Sequence, residues 1–216
     1  MDVKEIIARR VAKELHDGDV VNLGIGIPTM VADYIPESVK VVLHSENGFI
    51  GLGPAGTEID PDVVNAGGKP ASVVPGGVCF DSVMSFALVR GGHLDMTVLG
   101  ALEVDQEGNL ANWMVPGKIV PGMGGAMDLV SGAKKVIVAM EHTAKGGKAK
   151  ILKACTLPLT GQKVVDMIVT NLAVFEVTDT GLVLTETAPD VSIADVKATT
   201  EAEFSVAPAC KEMSLG

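Results

Sequence analysis

The octapeptide Val41-Val42-Leu43-His44-Ser45-Glu46-Asn47-Gly48 constrains this chain more than any other stretch. Its short, β-branched run from Lys40 to Leu43 reads as a buried strand. Asn47-Gly48 reads as a sharp turn, because both residue types tolerate positive φ. Glu46 therefore falls where strand gives way to loop. In open α/β sheets, ligands bind at the carboxyl ends of strands. A glutamate placed there can act as a nucleophile, a base or a metal ligand. It can equally cap the turn, and these eight residues do not decide between the roles.

The flanking pattern predicts a mostly parallel α/β sheet. Val3, Ile6, Ile7, Val11 and Leu15 share one helical face, and His16-Asp17-Gly18-Asp19 ends that helix. Val20 to Leu23 reads as a strand and Gly24 to Pro28 as the loop after it. Thr29 is placed to cap a helix reaching Tyr34, stopped before Pro36. Val39 to Leu43 is the next strand, and this strand–loop–helix–strand order is that of parallel sheets. From Ser45 to Gly77 the glycines and prolines predict a long loop, and such loops tend to be functional. Ser82 to Val89 reads as a helix. Met96–Leu99, Lys135–Met140 and Ile151–Cys155 read as strands. So do Asp166–Val169, Ala173–Val177 and Leu182–Thr185. Ile193 to Thr199 is a short helix entered from Ser192.

Composition narrows the class of function. The 216 residues carry a net charge of −10, against the basic surface that nucleic-acid binding requires. A local basic patch remains compatible with that charge. No apolar run approaches the ~20 residues that span a bilayer. The amino-terminal residues lack the pattern of a secretion signal, so a cytoplasmic protein is expected. Cys79, Cys155 and Cys210 are widely spaced and form no CxxC pair, as expected of reduced thiols. His44, His93 and His142 lack metal-ligand spacing and HExxH is absent, so no metal is expected. No GxSxG motif marks a serine nucleophile. No linker or repeat divides residues 1–216, which read as one domain.

Glycine-rich segments supply the second set of site candidates. Gly24-Ile25-Gly26-Ile27-Pro28 follows a strand and opens a helix, a setting that suits an anion or a ligand held close to backbone. It is not GxGxxG, but Glu46 lies near the distance at which a dinucleotide fingerprint places its acid. Met123-Gly124-Gly125-Ala126 can expose backbone N–H groups to an oxyanion, or can be a plain turn between packed elements. Lys69 and Lys118 can meet phosphates, or be solvated surface residues. Asn112 can hydrogen-bond amides of a ligand, and Trp113 can be core or wall.

Four segments together resemble one family. They are Asn22-Leu23-Gly24-Ile25-Gly26-Ile27-Pro28-Thr29, Ser45 to Pro54, Asn109 to Lys118, and Pro121 to Val130. Arg90-Gly91-Gly92-His93, Met140-Glu141-His142 and Cys155 to Gly161 add to them. In this order they resemble the B (β) subunit of the short-chain 3-oxoacid CoA-transferases, from about Ile6 to about Ala207. That group includes acetate–acetoacetate, butyrate–acetoacetate, succinyl and 3-oxoadipate enzymes. The resemblance implies an α/β fold with an open, mostly parallel sheet, the CoA-transferase (isomerase-like) domain. It implies a transfer of CoA through a glutamyl thioester on Glu46, with Gly125, or next Gly124, giving an oxyanion donor.

By the same resemblance Gly24, Gly26, Asn47, Lys69, Asn112 and Gly124 surround substrate or CoA. Ser45 and Asn47 position the carboxylate. CoA is a substrate, so no cofactor is implied. The partner is a separate A (α) subunit, often in an α2β2 assembly, which supplies part of the CoA site. Many relatives carry glutamine where His44 stands; that departure either tunes the acceptor site or is a neutral packing choice. Acetoacetate paired with acetate or butyrate is the favoured exchange, since no extra basic residue awaits a second carboxylate. Two rivals share the same residues. An acyl-CoA hydrolase would admit water, and a non-catalytic nucleotide-binding module would tolerate loss of Glu46.

Overall fold

The computed structural model describes residues 1–57, 59–117 and 122–216. Helix α1 (Val3–Ala12) buries Ile7, Ala8, Val11 and Ala12, while Val3 is left exposed. The helix stops one turn earlier than its apolar pattern, and Leu15 packs from the turn that follows. Strand β1 (Val20–Leu23) leads into the short helix α2 (Ile27–Met30), which tightens into a 3-10 turn over Val31–Tyr34. Thr29 lies inside this helix and does not cap it. Its hydroxyl instead donates back to Gly24 O and Gly26 O at 3.2 and 3.0 Å, and Gly26 takes the N-cap position.

Strand β2 (Val42–Ser45) begins and ends later than its apolar run predicts, so Glu46 is the first residue beyond it. The stretch expected to be loop contains two antiparallel strands, β3 (Phe49–Pro54) and β4 (Ala71–Cys79). Their glycines permit close strand approach: a Cβ on Gly51 would sit 2.7 Å from Gly77 Cα. Helix α3 (Ser82–Arg90) follows, capped by Asp81 accepting from Met84 N.

Strands β5 (Met96–Leu99), β6 (Glu103–Asp105) and β7 (Leu110–Ala111) precede helix α4 (Ala126–Gly132). Then come β8 (Val136–Ala139), β9 (Ile151–Leu152), β10 (Met167–Val169), β11 (Ala173–Thr178) and β12 (Gly181–Thr187). The expected strand at Ile151–Cys155 is only two residues long. Asp105 and Glu103 capture the backbone N–H groups of Cys155, Thr156 and Leu157 beyond it. Helix α5 (Ile193–Thr199) starts at a Ser192–Asp195 capping box, and β13 (Phe204–Glu212) closes the chain's last pairing.

The main sheet has ten strands in the order β13-β12-β11-β10-β8-β5-β1-β2-β3-β4. Its centre, β10-β8-β5-β1-β2, is parallel, and both flanks turn antiparallel before β13 rejoins in parallel. The central strands β5 and β8 are buried throughout, as strands covered on both faces must be. Alternate residues feed opposite cores. Val136, Val138 and Ile168 join the core beneath α3, α4 and α5, whereas Ile137, Ala139, Met167 and Val169 join the core beneath α1. Each fully buried aliphatic or aromatic side chain contributes about 1.5–3 kcal/mol. The two cores together fix the parallel centre, and with it the strand ends that carry the site.

Candidate active site

The site is built at the carboxyl ends of β1, β2 and β5. Asn22 pairs in register with His44 on one side and with Thr97 on the other. Two residues beyond His44, on the same side of the strand line, comes Glu46. Glu46, Asn47 and Gly48 form the hairpin connection to β3, closed by Gly48 N donating to Ser45 O at 3.0 Å. Gly48 has φ 129°, and a Cβ there would run into Phe80 O, so glycine is required on both counts. The Asn-Gly turn read from the sequence is present, and it projects Glu46 from the sheet edge of β2.

Three groups close around Glu46. Asn22 Nδ2 donates to Glu46 Oε2 at 3.0 Å. Gly125 sits against the carboxylate stem: a Cβ on Gly125 would lie 3.0 Å from Glu46 Cγ and 3.2 Å from the Phe86 ring. His44 lies behind, with Nδ1 3.4 Å from Asn22 Nδ2 and Nε2 3.2 Å from Ser85 Oγ. Burial lowers the His44 pKa, opposed by the negative charge of Glu46. The neutral imidazole of His44 therefore persists to lower pH than that of an ordinary histidine.

Gly24 is held to the end of β5 by its N–H to Val98 O at 2.8 Å, and a Cβ there would come 3.0 Å from that oxygen. Ile25 stands out of the same loop, 71% exposed. The turn over 65–69 lies against it, and Asn65 Oδ1 shapes that turn by accepting from Gly67 N and Lys69 N. Ser45 and Asn47 hold this turn down. Ala66 N donates to Ser45 Oγ, Ser45 Oγ donates to Asn47 Oδ1, and Asn47 Nδ2 donates to Val64 O.

A cavity of about 1200 Å³ opens over these elements. Glu46, Gly24, Lys69, Asn112, Gly124 and Gly125 all line it. Asn47 and Gly26 are not on its wall; Asn47 is engaged with backbone, and Gly26 starts α2. Asn112 reaches the wall while bridging Gly100 O and Thr160 Oγ1, and Trp113 donates Nε1–H to Leu159 O. Lys118 lies outside the described residues. Lys40 also lines the cavity, although sequence reading did not single it out. Asn22, Ser85 and Phe86 were likewise missed. A polar residue inside the apolar strand Val20-Val21-Asn22-Leu23 is the signal that marks Asn22. His93 and His142 stand away from this cavity's wall. Burial, with a further push from Lys150, pulls the His142 pKa down to about 4, and two threonine hydroxyls hold its ring at 2.9 Å each. Among the described residues no group of three acidic, histidine or cysteine side chains is placed to hold a metal ion.

Residues 4–199 match the model of the family described as coenzyme A transferase. The chain belongs to this family. It is 64% identical over 207 residues to the acetate CoA-transferase subunit beta of Escherichia coli K12, covering 96% of this chain and 95% of that one. It is 55% identical over 211 residues to the mouse mitochondrial succinyl-CoA:3-ketoacid coenzyme A transferase 2B. That match covers 96% of this chain and 41% of the mouse chain. Among solved structures, an acyl-CoA transferase apoenzyme from Escherichia coli O157:H7 superposes with a TM-score of 0.79 at 26% identity. It takes in 99% of this chain, which spans 44% of that longer one. This transferase therefore exchanges CoA between a thioester and a carboxylic acid, and the open α/β sheet is the family's fold. Glu46 is the carboxylate that this sheet presents between Asn22 and Gly125.

Proposed function

We propose that this chain is the glutamate-bearing subunit of a 3-oxoacid CoA-transferase. It exchanges CoA between acetoacetate and acetate or butyrate through a thioester on Glu46. One observation carries the reading: Glu46 stands at the cavity wall with the Asn22 amide on its carboxylate and the Gly125 backbone against its stem. A Glu46 oxygen attacks the acyl-CoA carbonyl, the C–S bond breaks, and CoA thiolate leaves a mixed anhydride. The thiolate then attacks the glutamyl carbonyl, releasing the first acid and forming the glutamyl thioester. The acceptor acid runs the two steps backward. One hard exchange is thereby divided into easier ones.

Gly125 is the oxyanion donor, because its lack of a side chain lets backbone approach the reacting carbonyl; Gly124 stands next to it. Lys69 is the residue on this wall for a CoA phosphate. The second lone pair of Asn112 Oδ1 is available to a pantetheine amide. CoA serves as substrate, with no further cofactor. The acetate preference is supported by the 64% identity to a protein named for acetate.

A separate A subunit completes the cavity and excludes water, in an α2β2 assembly. The names of the relatives support this, as does the span of only 41–44% of the two longer chains, whose remainder can supply the second half.

The test is chemical trapping. The chain, assembled with its A subunit, is incubated with acetoacetyl-CoA and no acceptor, then reduced with borohydride. Peptide mass analysis should place a glutamyl-to-alcohol change on the Ser45-Glu46-Asn47 peptide. Kinetics should be ping-pong, since the first acid leaves before the second binds. Thioester loss to water without any acceptor, and no change at Glu46, would instead identify a hydrolase.

A further inference from the structure

A continuous polar chain runs from helix α3 to Glu46 through the sheet. Its members are Ser85, His44 and Asn22, exposed by 0%, 2% and 1%. Burying three polar side chains costs free energy unless each finds partners. Here the pairing is directional. Asn22 Nδ2 faces three acceptors: Glu46 Oε2 at 3.0 Å, and His44 O and His44 Nδ1 at 3.4 Å each. An amide nitrogen only donates. His44 Nδ1 must therefore offer its lone pair, which puts the ring proton on Nε2, toward Ser85 Oγ at 3.2 Å. One Asn22 hydrogen serves Glu46 and the other is shared between the two His44 acceptors. Asn22 Oδ1 has no partner among the described residues, so the amide is held almost wholly by its nitrogen.

We propose that His44 is a positioning residue: as its Nε2–H tautomer, anchored on Ser85, it orients the Asn22 amide and so fixes the hydrogen bond that aims the Glu46 carboxylate. The inference rests on Glu46 being the nucleophile. Protonation of His44 would put an N–H on Nδ1, donor against donor, and would drive the Asn22 amide off its seat. The neutral groups packed on the ring are Asn22 from β1 and Ser85 from α3, and Glu46 is the charge that acts on it. Activity should accordingly fall on the acid side as His44 takes up its proton, below the ordinary histidine range because burial disfavours the charged ring.

The experiment uses the assembled transferase and measures kcat, KM for acetoacetyl-CoA, and the acid limb of kcat. His44→Ala should lower kcat roughly 10- to 100-fold with little change in KM, as expected when a nucleophile is misaimed rather than a substrate lost. His44→Gln, whose amide can both accept from Asn22 and donate to Ser85, should restore most of kcat. It should also move the acid limb to lower pH, because it has no proton to gain. The double variant His44→Ala with Asn22→Ala should lose no more than Asn22→Ala alone. Losses that multiply in the double variant, or equal losses in His44→Ala and His44→Gln, would overturn the proposal. If His44→Ala does not assemble, Ser85→Ala reads the link from its other end: a lower kcat at unchanged KM supports it, and an unchanged kcat overturns it. Borohydride labelling of the wild type separates this from the parent reading. Labelled Glu46 with indifferent His44 variants rejects only the positioning role, whereas active wild type with unlabelled Glu46 rejects both.

Discussion

Gly125 lies so close to Glu46 that a single methyl group would fill the gap: the missing Cβ would be 3.0 Å from Glu46 Cγ. The same Cβ would press on the Phe86 ring at 3.2 Å, so the intruder is blocked from behind as well. The N-cap residue of α4 and the residue just beyond β2 are thus fitted to each other, although 79 positions separate them in the sequence.

Gly125→Val should therefore lower kcat far more than it weakens CoA binding. In the proposed mechanism a β-branched side chain here displaces the oxyanion donor, whose value lies in the transition state. Loss of one such donor costs about 100- to 1000-fold. Steady-state kinetics on the assembled enzyme, with CoA binding measured separately, checks the split. Equal losses in both would point to general disruption.

Glu46→Ala should abolish transfer, and Glu46→Asp should nearly do so. Aspartate keeps the charge but draws the carboxylate back by one methylene, away from the Asn22 amide at 3.0 Å. Near-attack geometry tolerates little displacement on that scale. Transfer by Glu46→Ala at a rate near wild type would remove Glu46 from the mechanism.

The position of Glu46 was legible because two independent signals converge on it, a β-branched run ending and Asn-Gly turning, whereas its proposed role rested on the family resemblance. Gly125 and Gly24 were legible through the family resemblance, and the structure shows why glycine stands at each. The polar layer behind Glu46 was not legible. Asn22, His44 and Ser85 are scattered over three elements, and only the parallel register of β1 and β2 brings the first two side by side. Strands β3 and β4 were hidden by glycines that read as loop but serve close strand approach. Strand β13 was hidden by Pro208, which an edge position tolerates because one side of the strand needs no donor.

The acid stability of the fold should depend on Glu14. Burial alone would raise its pKa, but hydrogen bonds from Lys135 and Arg10, each 2.7 Å, outweigh burial and hold its carboxyl below the usual range. A folded pKa below the unfolded one stabilises the native state above the unfolded pKa, and that contribution disappears as pH falls through the folded value. Glu14→Gln should cost about 1–3 kcal/mol near neutral pH. The gap from wild type should narrow progressively in urea titrations carried below pH 4.5. A gap that stays constant with pH would mean that Glu14 contributes packing and no charge.

Cys79 and Cys155 should differ sharply toward thiol reagents. Cys79 is exposed, whereas Cys155 sits beside the buried carboxylates Asp105 and Glu103. Burial first, then the negative charge of Asp105 and Glu103, pushes the Cys155 thiol up to about 12. The thiolate is the reactive form, so at pH 8 almost none of Cys155 can react. Its Sγ also donates to Asn109 O at 3.5 Å, which holds the thiol in place. Iodoacetamide at that pH should label Cys79 in the native chain and leave Cys155 unmodified until urea unfolds it. Peptide mapping across a urea series would then report the opening of the Asp105–Cys155 contact directly. Modification of Cys155 at the same rate as Cys79 in the folded chain would show that this carboxylate cradle does not restrain the thiol.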